Sequence, residues 1–229
     1  MVWRIVERIC SAASVFWYIK LAVVSLLSGF LAWGQPPAPS YVKDCRPCSF
    51  SPGPNLPTYS FTFDLKTVGD GRVITSIEVT TQPGSKPIQR LPVMGMEPVG
   101  NEEQFFFGGS DINFDGLLDL MLITRKGVAN AYAEYWLFDP KSGTFTALGA
   151  FPVFRVDIQK QRLSTYERGG SAGLIHESKE YAFVEGKLTL MHDEKQEATE
   201  NPSVFRLVIQ DRVGGVMKTV KTGTVRAPK

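Results

Sequence analysis

The stretch Ala131-Tyr132-Ala133-Glu134-Tyr135-Trp136-Leu137-Phe138-Asp139-Pro140-Lys141-Ser142-Gly143-Thr144-Phe145-Thr146-Ala147-Leu148 decides the fold. Its first half is crowded with aromatic residues, which suit a pleated, half-buried surface. Asp139-Pro140-Lys141-Ser142-Gly143 is a turn, because Pro presets its own φ, Asp and Ser bond the nearby backbone, and Gly accepts φ > 0. Residues 144–148 then return as the partner strand of a hairpin.

The same pattern repeats outward. Tyr181-Ala182-Phe183-Val184, the turn Glu185-Gly186, and Lys187-Leu188-Thr189-Leu190 read as a second hairpin. Residues 204–210 and 216–220 flank Gly214-Gly215 as a third. Upstream, Tyr59-Ser60-Phe61-Thr62-Phe63 alternates, and residues 72–81 are rich in β-branched side chains. No long stretch has helical period. The expectation is an all-β, antiparallel chain of roughly ten short strands, a sandwich, a barrel or a small propeller-like domain over residues 59–229.

Between these strands lies Asp111-Ile112-Asn113-Phe114-Asp115-Gly116-Leu117-Leu118-Asp119. Oxygen-bearing side chains stand at its positions 1, 3, 5 and 9, with glycine at 6, as at the start of a calcium loop. A hard cation takes six to eight oxygens, and alternate residues of a tight loop aim them inward. The expected ligands of one Ca2+ are Asp111, Asn113, Asp115, the Leu117 carbonyl and Asp119, the last directly or through a water. Position 12, a bidentate Glu in a full EF-hand, is Leu122. The flanks, residues 104–109 and 120–124, read as short buried strands and not as helices. The expected unit is therefore strand, calcium loop, strand.

The 229-residue chain is 43% hydrophobic and 21% charged, ordinary for one globular domain. Arg4, Arg8 and Lys20 against Glu7 account for the whole net charge of +2, so the rest is neutral and offers no basic surface for nucleic acid. Residues 21–33 are an uncharged apolar run after those basic residues, and Ala32-Trp33-Gly34 places small residues where a signal peptidase reads them. We expect residues 1–34 to be a secretory signal cleaved after Gly34, or an anchor, the only membrane contact, if retained. The protein is then periplasmic or secreted. Residues 35–58 hold seven prolines and read as a stiff linker. Cys45 and Cys48 within it are expected to form a local disulfide in an oxidising compartment.

The loop with Phe107-Gly108 before it resembles the calcium loop of FG-GAP and VCBS repeats. Over about residues 100–195 the chain resembles, more closely, exported bacterial proteins with a single such loop. That resemblance runs through Tyr135-Trp136-Leu137-Phe138-Asp139-Pro140-Lys141-Ser142-Gly143-Thr144-Phe145, Tyr166-Glu167-Arg168-Gly169-Gly170-Ser171-Ala172-Gly173, Tyr181 and Gly186-Lys187-Leu188. Members include periplasmic immunity proteins of antibacterial type IV secretion systems, which inhibit a peptidoglycan-cleaving effector and whose fold is similar to that of lysozyme inhibitors. The resemblance implies a protein partner, a peptidoglycan hydrolase, and no enzymatic activity of the chain itself. It gives the 166–173 stretch a role in entering a carboxylate-lined cleft. Arg168 would pair with a carboxylate and Tyr166 would stack on a sugar site. Gly169, Gly170 and Gly173 would let the backbone approach closely, and Ser171 between them would join the partner-binding residues. The alternative is a calcium-stabilised envelope binding or adhesion module.

Gly169-Gly170-Ser171-Ala172-Gly173 also matches G-x-S-x-G, but a nucleophile elbow needs a following helix on a parallel sheet, and residues 174–183 read as strand. His176 and His192 lack the cysteine or carboxylate spacing of a catalytic zinc site.

Overall fold

The computed structural model describes residues 41–42, 48–81, 84–100 and 105–227. In chain order the strands are β1 (Tyr41–Val42), β2 (Cys48–Phe50), β3 (Tyr59–Val68), β4 (Gly71–Thr80), β5 (Gln89–Pro92) and β6 (Val99–Gly100). There follow β7 (Phe105–Ser110), β8 (Asp119–Lys126), β9 (Ala131–Asp139), β10 (Thr144–Pro152) and β11 (Arg155–Asp157). The last are β12 (Arg162–Arg168), β13 (His176–Val184), β14 (Lys187–Ala198), β15 (Val204–Val213) and β16 (Val216–Arg226). One 3-10 turn, Ser171–Gly173, separates β12 from β13, and no α-helix occurs among the described residues.

These strands make three antiparallel sheets. A central sheet runs β1-β7-β8-β9-β10, and an outer one runs β11 to β16 as an up-and-down meander. The third runs β2-β3-β4-β5, with β6 also on β4. The central sheet is apolar on both faces because β7, β8 and β9 carry the apolar runs Phe105–Phe107, Leu120–Ile123 and Tyr135–Phe138, and successive side chains point to opposite sides. Phe105, Phe107, Leu120, Leu122, Trp136 and Phe138 join the core shared with Phe61, Ile77 and Val79 of the third sheet. Phe106, Met121, Ile123, Tyr135 and Leu137 join the core shared with Leu163, Tyr181 and Phe183 of the outer sheet. Ring contacts tie each pair of layers: Phe61 lies 5.2 Å from Phe107, and Phe154 lies 4.9 Å from Tyr135 and 5.7 Å from Tyr181. The result is sandwich-like layering and not a closed barrel.

The proline-rich stretch enters the fold earlier than expected, which corrects the linker reading: β1 already pairs with β7, Tyr41 opposite Phe106. β2 pairs with β3, Cys48 opposite Phe61 and Phe50 opposite Tyr59. β2 is the edge strand of its sheet, and Pro52 follows two residues after it, beyond the ladder. The Phe50 and Phe61 rings stack at 5.0 Å. The Pro52 carbonyl accepts the Leu118 amide at 2.8 Å, and a Cβ on Gly53 would stand 2.8 Å from Leu117 Cδ2. Residues 48–58 thus brace the 111–119 loop. Cys48 is disulfide-bonded. The signal segment 1–34 and Cys45 lie outside the described residues. Among the described residues no helix is long and apolar enough to cross a membrane.

Candidate functional site

The 111–119 loop joins β7 to β8 as a run of nested side-chain turns. The Asp111 carboxylate accepts the amides of Asp115 at 3.2 Å and Gly116 at 3.0 Å. Asn113 Oδ1 accepts the Asp115 amide at 3.1 Å, and its Nδ2 donates to Asp115 Oδ2 at 2.9 Å. Asp115 Oδ1 accepts the Leu117 amide at 2.8 Å. Gly116, at φ 85°, supplies the sharp turn, and Phe114 shares the left-handed region at φ 64°. Asp119 is fully buried. Its two oxygens accept the amides of Ile112 at 2.9 Å and Phe138 at 2.8 Å, pinning the loop to β9. Burial pushes the Asp119 carboxyl up to about 7, aided by the charge of Asp115 and opposed by those amides. Burial also raises Asp111.

Among the described residues no three His, Cys, Asp or Glu side chains gather as a metal-holding group. The donors are nevertheless those a hard cation prefers: three carboxylates, the Asn113 amide oxygen and the Leu117 carbonyl. The residues therefore fit Ca2+ in kind. Asp111, Asn113, Asp115, Leu117 and Asp119 would hold it, and it would supply charge compensation at the β7–β8 corner.

The second predicted site, residues 166–173, is half strand and half loop. Tyr166 and Arg168 belong to β12, opposite Ser178 and His176 of β13. The ladder continues one step, the Gly169 amide donating to the Ile175 carbonyl at 2.7 Å. Gly169 admits no side chain, since a Cβ would lie 2.7 Å from Ile175 Cγ2. Ser171 and Ala172, both at φ 54°, and Gly173, at φ 91°, make three left-handed residues in succession. For Ser171 and Ala172 that conformation is costly, and such strain is concentrated where a loop must hold a set shape.

Side chains hold that shape. Asn130 grips Arg168 by its backbone, Nδ2 donating to the Arg168 carbonyl at 3.0 Å and Oδ1 accepting its amide at 2.7 Å. Three successive carbonyls then receive side-chain contacts. Arg168 Nη2 donates to Ala172 at 3.0 Å, His176 Nδ1 lies 3.2 Å from the Gly173 oxygen, and Gln196 Nε2 donates to Leu174 at 2.6 Å. The Arg168 guanidinium, placed by the sequence reading against a partner carboxylate, is thus first a strut across its own loop. Tyr166 is 45% exposed, its ring stacked on that of His176 at 5.4 Å. On the opposite face of β12, Glu167 Oε1 accepts the Tyr132 hydroxyl at 2.5 Å, and Arg125 lies over the Tyr132 ring at 3.7 Å.

No protein-family model matches the chain. No curated protein matches it. A solved structure does, a Xanthomonas type IV secretion system related protein. The likeness has a TM-score of 0.52 at 18% identity, over 82% of this chain and 100% of that one. At that identity it establishes a shared fold.

Asn130, Glu194 and Gln196 were missed from sequence, and His176 was weighed only as a metal ligand. Hairpin register was the available signal. Pairing across the 169–175 turn sets Arg168 opposite His176, and the next pairing sets His176 opposite Gln196. Ser171 sits on a single 3-10 turn followed by a strand, without the helix a nucleophile elbow requires. The histidines are otherwise engaged, His176 with Glu194 at 3.3 Å and His192 with Asp211 at 2.7 Å.

Proposed function

We propose that this is an exported envelope protein that acts by protein–protein contact, inserting its 166–173 loop into the cleft of a peptidoglycan hydrolase and blocking it. The observation that carries this reading is the loop itself: strained at Ser171 and Ala172, clamped at its base by Asn130, and flanked by the exposed ring of Tyr166. A loop ordered in advance loses little entropy on docking, which favours an inhibitor. Arg168 spends one bond internally and keeps donors for a catalytic carboxylate. The type IV secretion relation of the structural neighbour is in keeping with an envelope setting. One Ca2+ in the 111–119 loop would stiffen the corner and take no part in chemistry.

The test is clearing of a peptidoglycan suspension by a panel of lysozyme-like hydrolases, with and without the purified protein in calcium. Slower clearing with one hydrolase supports the reading and identifies the target. Clearing by the protein alone overturns it and makes the protein an enzyme. A second reading, an envelope module that binds glycan, is favoured by the exposed Tyr166 ring, a surface on which a sugar stacks. It predicts sedimentation with peptidoglycan and no effect on any hydrolase.

A further inference from the structure

β16 is the last strand of the outer sheet, and among the described residues nothing pairs with its far side. An open edge presents a row of unmatched amides and carbonyls, so proteins keep such edges short, bulged or covered. The other edges follow that rule. β1, β2, β5 and β11 have four residues or fewer, and β10 is bulged between Ala147 and Gly149. β16 has 11 residues, most of them exposed. One irregularity leaves Val220 without an opposite residue, since Ile209 faces Lys221 and Gln210 faces Thr219. From Lys221 to Arg226 the strand is regular. Register also fixes which backbone groups are open. The Ala227 amide donates to the Ser203 carbonyl at 3.0 Å, which makes these two a hydrogen-bonded pair. Such pairs alternate with non-bonded ones along an antiparallel ladder. Val225 and Gly223 therefore bond inward to Phe205 and Leu207, while Thr222, Thr224 and Arg226 turn their amides and carbonyls outward.

The side chains of this edge select what could join it. Gly223 stands in mid-strand, where glycine costs backbone entropy and packs nothing. Its φ lies outside the left-handed region, and a Cβ there would meet nothing within 4 Å. Neither a turn nor a neighbour within the chain requires glycine here, which leaves the close approach of another backbone as its use. In an antiparallel partner the residue opposite Gly223 belongs to a non-hydrogen-bonded pair, where side chains come closest. A large ring at that place would lie across the bare backbone toward Leu207, which is in register with Gly223. Charge narrows the choice further. β16 carries Lys218, Lys221 and Arg226 and no acidic side chain. Lys218 stands opposite Asp211, but Lys221 faces Ile209 and Arg226 faces Val204, and among the described residues neither has an ion-pair partner.

We infer that β16 is a docking edge for an extended acidic segment of another protein. That segment adds to the outer sheet as a further antiparallel strand, with acidic residues beside Lys221 and Arg226 and a large apolar residue over Gly223. A second copy of this chain is disfavoured as the occupant, because it would bring the same cations to the joint. The lysines that repel a like strand are the ones that admit an acidic one. This inference goes beyond the reading of the 166–173 loop and does not rest on it.

The probe is the end-capped peptide Glu-Val-Thr-Phe-Thr-Glu, labelled with a fluorophore and titrated with the purified protein while anisotropy is read. It is expected to bind, and a version with Lys in place of both Glu residues should bind about tenfold more weakly or worse. Thr224→Pro removes an outward amide that β15 does not use, so the fold should stand while the peptide loses a ladder bond and binds about five- to tenfold more weakly. Gly223→Val fills the open space with a strong strand former. It should keep or raise the melting temperature and weaken the peptide by a similar factor, a pairing of effects that damage to the strand would not give. Peptide should also slow amide exchange at Thr222 and Thr224. No binding at about 1 mM protein, equal binding of the Lys version, or binding indifferent to both variants would overturn the inference. So would a dimer in sedimentation that Thr224→Pro dissolves, since the edge would then serve a second copy.

Discussion

Asn130 and Arg168, 38 residues apart, exchange two hydrogen bonds through the Asn130 side-chain amide and the Arg168 backbone. A side-chain amide here takes the place of a neighbouring strand, satisfying both polar groups where β12 ends. It joins the β8–β9 turn of the central sheet to the base of the outer-sheet loop.

Asn130→Ala should therefore cost about 1 kcal/mol in urea unfolding, the ordinary worth of a partly exposed pair of such bonds. If the protein blocks a hydrolase as proposed, the larger effect should fall there, weakening inhibition several-fold. Asn130→Asp keeps the acceptor for the Arg168 amide and loses the donor, and should lie between. Unchanged inhibition by the alanine variant would mean that the loop is not held from this side.

Gly169 and Gly170 are adjacent and should respond differently. A methyl at Gly169 meets Ile175 Cγ2 at 2.7 Å and the Ile175 carbonyl at 2.9 Å, whereas one at Gly170 finds its nearest neighbour at 3.7 Å. Gly169→Ala should open the ladder at Ile175 and destabilise by about 1–3 kcal/mol, and Gly170→Ala should be tolerated. Thermal melts of the two variants would decide this. Equal stability would show that residue 169 shifts freely.

The same loop marks how far the sequence could be read. Apolar runs such as Leu120-Met121-Leu122-Ile123 and Tyr135-Trp136-Leu137-Phe138 exposed the buried strands of the central sheet, because a strand covered on both faces is apolar throughout. The far half of β14, His192-Asp193-Glu194-Lys195-Gln196, is polar at every position and gave no strand signal. It is a strand because β13 and β15 pair with it on either side, a tertiary cause that periodicity does not carry. The tight Asp/Asn/Gly turn over residues 111–116 was plain from spacing. That Asp119 would turn inward to bind the Ile112 and Phe138 amides was not, since Phe138 is brought to it only by the β8–β9 pairing. The struts Asn130, His176 and Gln196 likewise become neighbours only once register is known.

For the metal, the expected outcome is a rise in melting temperature with added Ca2+ and a fall with chelator. At a hundredfold excess over the dissociation constant the gain would be about 2.7 kcal/mol. Asp115→Ala removes the carboxylate that receives both Asn113 Nδ2 and the Leu117 amide, and should abolish the response to calcium. Asn113→Ala should weaken it. A melting temperature indifferent to both calcium and chelator in the unaltered protein would leave the loop as an acidic turn.

Glu134 gives a pH prediction independent of both sites. It lies on β9, only 6% exposed, with Oε1 accepting the Met94 amide at 2.6 Å. Burial raises its carboxyl to about 7, against the pull of that amide. In the unfolded chain the same group titrates near about 4.3. The folded state thus binds the proton more tightly, so its contribution to stability is complete below about pH 4 and is lost as pH rises through about 7. The full loss is on the order of 2–4 kcal/mol. Glu134→Gln retains the oxygen that accepts from Met94 and carries no charge at any pH. It should match the unaltered protein near about pH 4 and exceed it in stability at about pH 8, measured by urea unfolding across that interval. Asp119, also raised to about 7, contributes a slope of the same sign in both proteins and cancels in the difference between them. If the two stability curves run parallel from acid to base, the Glu134 carboxylate is already ionised beneath the Met94 loop, and burial there is less complete than the packing implies.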